Sequence, residues 1–198
     1  MNRHNVDLTP IVLGVDPGEK GAATVVGYSK RNAQILDKIS FKDYGKQWPI
    51  EFSKWLKGVQ YPLLPVFLER AGARPEQGVS TTFSFGRNYG VVQGSLISCG
   101  FSFKLVHPGS WTRHIWNTDL IIGLQSRFEP KDPKEYSRIM AEHIFGWEPF
   151  KKKPNAKTYD SGVVDSSLIG LYGCMVTAGE IALPKNVVET DLDFQNYP

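Results

Sequence analysis

Residues 11–18 read IVLGVDPG, an apolar run that ends in an aspartate and a Pro-Gly turn. The apolar run predicts a buried β-strand, and the Pro-Gly pair predicts that the strand ends there. A carboxylate at the end of a buried strand is neither fully solvated nor obviously paired. Asp16 therefore either stabilises a turn or meets partners from elsewhere in the chain.

The composition is ordinary for a soluble globular protein. The 198 residues are 41% apolar and 22% charged, which suits one α/β domain with a sizeable core. No apolar run approaches the roughly 20 residues that a membrane span needs, and the polar start lacks the apolar core of a secretory signal. We therefore expect no membrane partner and a cytoplasmic location, at the nucleoid or, for a phage-encoded protein, in the host cytoplasm.

The charge is unevenly distributed along the chain. Residues 180–198 contain four acids and one lysine, a net charge of −3, so the net +3 of the whole chain leaves +6 on the preceding residues. That excess is compatible with a polyanionic partner but is also common on a solvated surface. We expect one domain over residues 1–183 and a C-terminal tail over 184–198.

Alternating apolar segments and turn signals predict a mixed sheet. Three short strands form an antiparallel meander, a crossover helix follows, and a fourth strand then lies parallel to an earlier one. A long helix, a fifth strand and three further helices complete the domain. The predicted strands are 11–16, 22–29, 33–41, 61–69 and 101–107, and the predicted helices are 48–59, 78–100 (at least from Thr82), 110–116, 132–146 and 163–179.

The first and fourth predicted strands both end in an acid, Asp16 and Glu69. If these strands are parallel neighbours, their carboxylates emerge at one sheet edge about 5 Å apart. Like charges at that distance raise each other's pKa unless cations match them or a metal ion binds them. Taken singly, each acid is better explained structurally, Asp16 by the turn and Glu69 by pairing with Arg70 or Arg74.

The segment YDSGVVDSSLIG adds Asp160 and Asp165 at the start of the last apolar helix. Asp160 or Ser161 is a good N-cap candidate. Capping suits Asp165 poorly, because two valines precede it and two serines follow, a pattern that brings a helix close to a sheet. A separation of five would turn the two side chains about 140° apart on one helix, so we place Asp160 in the preceding loop, curling back toward the site of Asp165.

The order of these motifs resembles that of the RuvC-type Holliday junction resolvases, especially the divergent phage-type members, within the RNase H-like nuclease superfamily. The resemblance covers roughly residues 10 to 178. It depends on the motifs LGVDPG, FLER, FGRNYGVVQG, VHPGSW, KDPKE and DSGVVDSSLIGLYG.

The resemblance implies an α/β fold, three-layered and RNase H-like, with a mixed five-stranded sheet flanked by helices. It implies a homodimer that resolves four-way DNA junctions by paired symmetric nicks. It also implies that Asp16, Glu69 and Asp165 bind metal, with Asp160 as the fourth ligand because glycine occupies position 162. Two Mg²⁺ or Mn²⁺ ions per active site would suit these hard oxygen ligands and phosphodiester hydrolysis.

Several basic and aromatic side chains are candidates for DNA contacts. Lysine and arginine neutralise phosphates without reading sequence, and aromatic rings stack on unpaired bases. The family also has a lysine near the scissile phosphate, for which Lys131 and Lys134 are both candidates. The other candidates are Arg74, Phe83, Phe85, Arg87, Arg113, Lys151, Lys152, Lys153 and Lys157, although core packing is an equally ordinary role for either phenylalanine.

Gly86, Gly90 and Gly94 repeat every fourth residue of the long predicted helix. Each costs about 1 kcal/mol relative to alanine there, so we expect a tight contact along that face. The resemblance favours a dimer interface or the DNA-facing edge. Packing of the helix on the sheet within one monomer is the alternative.

Other function classes fit parts of the sequence. DPGEKGAATVV also resembles the phosphate-binding hairpin of the actin and sugar-kinase superfamily, but 198 residues provide one such lobe where an ATP-binding enzyme needs two. A non-catalytic junction-binding protein would tolerate loss of the acids. A broader nuclease for branches and flaps is the closest alternative.

Overall fold

The computed structural model describes residues 8–30, 32–61, 64–70, 72, 78–116, 133–152, 158–184 and 188–189. Within these ranges the predicted α/β fold class is confirmed: a mixed sheet is flanked by helices on both faces. None of the described helices is long and apolar enough to cross a membrane. The candidates Arg74, Lys131, Lys153 and Lys157 lie outside the described residues.

The first three strands form the predicted antiparallel meander. Strand β1 (Ile11–Asp16) pairs with β2 (Ala22–Ser29), and β2 pairs with β3 (Asn32–Ser40). The turn after Asp16 is closed by a hydrogen bond from the Gly21 N–H to the Gly18 carbonyl oxygen, 2.9 Å long. The strand ends therefore fall where the turn residues of the sequence indicate.

The crossover returns the chain to the other edge of β1. A 3₁₀ segment (Phe41–Gln47) leads into helix α1 (Trp48–Gly58), and β4 (Val66–Glu69) then pairs with β1 in parallel. Helix α2 (Val79–Ser98) follows, and β5 (Phe103–Val106) pairs with β4 in parallel.

Three helices and one short strand complete the described chain. They are α3 (Pro108–Trp116), α4 (Pro133–Phe145), α5 (Ser161–Thr177) and β6 (Val188–Glu189), with a short 3₁₀ turn (Glu148–Phe150) before α5. Strand β6 pairs antiparallel with β5, so part of the predicted tail adds a sixth strand to the five predicted. This strand has only two residues, too few for an alternating pattern of side chains to indicate it. The strand order is β3-β2-β1-β4-β5-β6.

The sheet separates two hydrophobic clusters. Alternate residues of a strand point to opposite faces, so Val12 and Phe67 pack beneath α3, α4 and α5, while Leu13 and Leu68 pack beneath α1 and α2. In α1 the buried residues are Trp48, Phe52 and Leu56. Ile50, which the predicted spacing placed on the apolar face, is exposed.

Helix α5 lies directly against the sheet through small residues. A Cβ added to Gly14 of β1 would lie 2.2 Å from the Ser166 carbonyl oxygen and 2.3 Å from the Gly170 nitrogen. The hydroxyls of Thr24 and Ser166, both buried, are 2.6 Å apart across the same contact. The predicted close approach of this helix to the sheet is confirmed, and it fixes the position of Asp165.

The glycines of α2 have the opposite surroundings. Among the described residues, a Cβ added to Gly86, Gly90 or Gly94 would meet no atom within 4 Å outside the neighbouring helix backbone. Packing of these glycines against the sheet of the same chain, the alternative raised from the sequence, is therefore wrong. Their face of α2 is open, and Phe83 beside it is 73% exposed.

Candidate active site

Asp16 and Glu69 lie at the ends of adjacent parallel strands. In the register between β1 and β4, Val15 pairs with Leu68, and each acid is the next residue of its strand. Because the strands run in the same direction, the carboxyl ends of both meet at one edge of the sheet. The predicted neighbourhood of these strands is thus confirmed.

Asp16 combines a turn with an unusual electrostatic environment. Its Oδ1 accepts a hydrogen bond of 3.1 Å from the Gly18 N–H, as the Pro-Gly turn suggests. The pKa of Asp16 is nevertheless raised to about 6, mainly by burial and to a smaller extent by the charge of Asp160, against the lowering effects of the Gly18 N–H and the Lys134 ammonium. A structural turn therefore does not account for the whole environment of this acid.

Glu69 is oriented by an indole from α3. The Trp111 Nε1–H donates a 2.9 Å hydrogen bond to Glu69 Oε1, and the Trp111 side chain is buried. This residue belongs to the VHPGSW motif, for which the sequence indicated no specific contact. The hydrogen bond fixes one oxygen of Glu69 at the end of β4.

Asp165 lies within the first two turns of α5, near both strand-end acids. Burial raises its pKa well above the usual range, and the charges of Asp16 and Glu69 raise it further. The Lys134 ammonium and a hydrogen bond from the Ser137 hydroxyl act in the opposite direction. Acids from β1, β4 and α5 therefore share one electrostatic environment, although they are far apart in sequence.

Helix α4 brings a cation and a hydroxyl to these acids. Lys134 lies in the first turn of α4, and its charge lowers the pKa of both Asp16 and Asp165. Ser137, three residues further on, is buried and hydrogen-bonded to Asp165. Residues three apart lie on the same side of a helix, a signal from which Ser137 could have been found once Lys134 was a candidate.

Asp160 is the N-cap residue of α5, and its carboxylate is fully engaged. Oδ1 accepts from the N–H groups of Gly162 (3.2 Å) and Val163 (3.4 Å). Oδ2 lies 2.7 Å from the Ser40 hydroxyl and 2.6 Å from the Lys42 ammonium. Sequence reasoning foresaw the cap as an alternative but missed Ser40 and Lys42, which come from the end of β3 and the segment after it.

The donor chemistry of Asp16, Glu69 and Asp165 fits a hard divalent cation, since all three are carboxylates at one sheet edge. Their mutual effect on pKa shows a local excess of negative charge that a cation would neutralise. Across the described ranges, no three acid, histidine or cysteine side chains are arranged tightly enough to form a complete metal site. These three acids therefore suit a divalent cation in the type of their donor atoms and in their charge.

The remaining DNA-contact candidates lie at three places. Arg87 and Phe83 are exposed on α2, where Phe85 is half-buried, and Arg113 is exposed on α3. Lys151 forms an ion pair with Glu148. Lys151 and Lys152 line a shallow cavity of about 120 Å³ together with Lys38 and Asp160. Lys151 and Lys152 thus border the N-terminus of α5, as their place in the sequence suggests.

Comparison with known proteins supports the fold and gives no family assignment from sequence. No protein-family model matches the chain, and no curated protein matches it. Among solved structures, the chain is similar to Thermus thermophilus RuvC in complex with a Holliday junction substrate, with a TM-score of 0.57 and 15% identity over 91% of this chain and 99% of the other. It is also similar to a second Thermus thermophilus RuvC structure, with a TM-score of 0.51 and 16% identity over 85% and 96% of the two chains. The fold is therefore RuvC-like.

Proposed function

We propose that the protein is a metal-dependent DNA endonuclease that resolves four-way junctions by paired symmetric nicks. The observation that carries this proposal is the convergence of Asp16, Glu69 and Asp165 from three separate elements into one half-buried acidic environment. Such a cluster is unfavourable until cations neutralise it, which is expected of a functional site rather than a structural one. The RuvC-like fold provides the junction as the substrate to test.

The three carboxylates would hold the metal, and the surrounding donors would orient them. Bound Mg²⁺ or Mn²⁺, expected as two ions per site, supplies an activated water and neutralises charge on the scissile phosphate. Trp111 holds Glu69, Ser137 holds Asp165, and the Gly18 N–H holds Asp16. Lys134, whose charge acts on both Asp16 and Asp165, would pair with a phosphate oxygen.

DNA would cross the surface around this site. Lys151 and Lys152 line the cavity at Asp160, and Arg113 is carried by the same helix as Trp111, which contacts Glu69. These cations would position the phosphate backbone without reading sequence. Phe83 is sufficiently exposed to stack on an unpaired base at the crossover.

Paired nicks require two active sites, so we propose a homodimer. Among the described residues the glycine face of α2 is open, and this face, with exposed Val79 at its N-terminal end, is the surface proposed for the second copy. Glycines allow two helix backbones to approach closely. Sedimentation should give a dimer, and Gly90→Leu should shift it to a monomer, whereas a wild-type monomer on junction DNA would contradict this part.

The central experiment compares a synthetic four-way junction, a flap and a matched linear duplex, each with Mg²⁺ or EDTA. We expect symmetric nicks in the junction alone, lost in EDTA and lost in Asp16→Asn while junction binding persists. Lys54→Ala is the control. This exposed lysine of α1 pairs only with Glu51 among the described ion pairs, and α1 covers the face of the sheet opposite to α5. The Lys54→Ala variant should cleave normally.

Each other outcome has a definite meaning. Equal cutting of the duplex would reject junction selectivity, and efficient cutting of the flap would favour the broader branch nuclease. Cleavage that persists in Asp16→Asn would reject the assigned metal ligands. Junction binding with no cleavage under any metal would favour a non-catalytic binding protein.

A further inference from the structure

Asp160 has hydrogen-bond partners at every position that its carboxylate offers. A carboxylate accepts about four hydrogen bonds, two at each oxygen. The two backbone N–H groups of Gly162 and Val163 occupy Oδ1, and Ser40 and Lys42 occupy Oδ2. Only 5% of Asp160 is exposed. Binding a metal ion would require breaking at least one of these contacts in a buried place.

The contacts of Asp160 join three parts of the chain. Ser40 ends β3, Lys42 belongs to the 3₁₀ segment that follows, and the capped N–H groups begin α5. The backbone contributes as well, because the Asp160 N–H donates a 2.8 Å hydrogen bond to the Phe150 carbonyl oxygen. Asp160 therefore fixes the start of α5 relative to the sheet and to the segment before the helix.

The start of α5 also lies against the loop that follows Asp16. A Cβ added to Gly162 would lie 2.3 Å from the Lys20 carbonyl oxygen. A small movement of this first turn would change the separation between Asp165, on α5, and Asp16, at the end of β1. Asp160 has an extended backbone (φ −95°, ψ 101°) and precedes the helix, whereas Asp165 lies on α5 itself, so the cap and Asp165 occupy different positions relative to the helix.

From this geometry, and resting on the proposed nuclease function, we infer that Asp160 is a positioning residue and not the fourth metal ligand. It clamps the N-terminus of α5 through Ser40 and Lys42, and by doing so sets the place of Asp165 opposite Asp16 and Glu69. The metal is held by three carboxylates of this chain. Asn is as good an N-cap as Asp, so the clamp and the ligand roles predict different results for Asp160→Asn.

The first test measures Mn²⁺ binding to the protein without DNA by titration calorimetry. We expect Asp160→Asn to bind Mn²⁺ within about threefold of the wild type, and Asp165→Asn to lose binding by more than about 30-fold. Asp160→Ala, which removes the cap, should bind Mn²⁺ more weakly than Asp160→Asn, which keeps it. Loss of Mn²⁺ binding in a folded Asp160→Asn equal to that of Asp165→Asn would overturn the inference.

The second test measures, in metal-free protein, how firmly Asp160 holds the first turn of α5. Amide hydrogen exchange at Gly162 and Val163 should accelerate at least tenfold in Asp160→Ala and less than threefold in Asp160→Asn. Unchanged exchange in Asp160→Ala would overturn the clamp even if the metal data agreed. Failure of wild-type protein to bind Mn²⁺ or to cleave junctions, with exchange as expected, would instead count against the proposed nuclease function.

Substitution of Lys42 tests the ion pair between Lys42 and Asp160 directly. Lys42→Met leaves the buried carboxylate without its cation, so we expect faster exchange in the first turn of α5. Adding Asp160→Asn to Lys42→Met should restore slow exchange, because a neutral amide needs no ammonium partner. Additive effects of the two substitutions would contradict a direct coupling between these side chains.

Discussion

Helices α2 and α5 both carry spaced glycines, but the surroundings of the two sets of glycines are opposite. The glycines of α5 lie against backbone atoms and core side chains: a Cβ added to Gly173, for example, would lie 2.6 Å from the Phe67 ring. Among the described residues, a Cβ added to the glycines of α2 would meet open space. Glycine spacing therefore shows that a helix face is able to accept a close neighbour. It does not show whether the neighbour belongs to the same chain.

The largest test of this comparison is Gly14→Ala on the α5 side. The new Cβ would lie 2.2 Å from the Ser166 carbonyl oxygen, a backbone atom that cannot rotate away. We expect the free energy of unfolding to fall by about 3 kcal/mol or more in urea denaturation. Gly58→Ala is the control, since its Cβ meets no described atom within 4 Å. Equal stability of the two variants would mean that α5 is not in tight contact with β1.

Titration should also distinguish the two helices, because Asp165 lies on α5 and its charge interacts with that of the half-buried Asp16. The pKa of Asp16 is raised to about 6, so between about pH 4 and pH 6 the folded chain binds more protons than the unfolded chain. The contribution of protonated Asp16 to the free energy of unfolding is therefore lost as the pH rises through that window. In EDTA at pH 7.5 we expect Asp16→Asn to be about 2 kcal/mol more stable than the wild type, with the gap closing near pH 4.

The same denaturation series with Mg²⁺ sharpens the result. The cation should raise the midpoint of the wild type at pH 7.5 and leave Asp16→Asn nearly unchanged. A gap between the two proteins that is independent of pH would show that the pKa of Asp16 is not raised in the folded chain.

A smaller effect is expected from the buried hydroxyl pair between β2 and α5. Ser166→Ala leaves the Thr24 hydroxyl without this 2.6 Å partner, which should cost about 1.5 kcal/mol of unfolding free energy. Thr24→Val combined with Ser166→Ala removes both hydroxyls and should recover part of the loss. A double-mutant cycle measures the coupling, and zero coupling would contradict the contact.

The smallest effect, with the opposite sign, is expected on α2. Gly90→Ala adds a methyl group to an open helix face, so the free energy of unfolding should rise by up to about 1 kcal/mol. The measurement belongs at protein concentrations low enough to give monomers. Destabilisation under those conditions would mean that part of the same chain packs on this face.

The α2 prediction shows where sequence reasoning was insufficient. A helix was correctly expected over this segment, but the neighbour of its glycines was not determined by spacing. For α5 a different pattern gave the correct result, because the valines and serines around Asp165 restrict the helix to a buried place against the sheet. The hydrogen bond from Trp111 to Glu69 was missed because nothing in the segment of Trp111 indicates which distant carboxylate its N–H will meet. Ser137 was missed although it lies one helical turn from the candidate Lys134, because tertiary packing decides which acid that turn faces.

The sequence by itself determined the fold class, the five main strands, the helices near their observed ends and the acids at the ends of β1 and β4. These depend on local patterns of apolar residues and turns, which act over a few positions. Only the tertiary structure decided that Lys134 and Ser137 face Asp165, that Ser40 and Lys42 engage Asp160, and that β6 adds to the sheet. Those contacts join residues 28 to 120 positions apart, and the packing of whole elements, not the pattern within any one of them, brings them together.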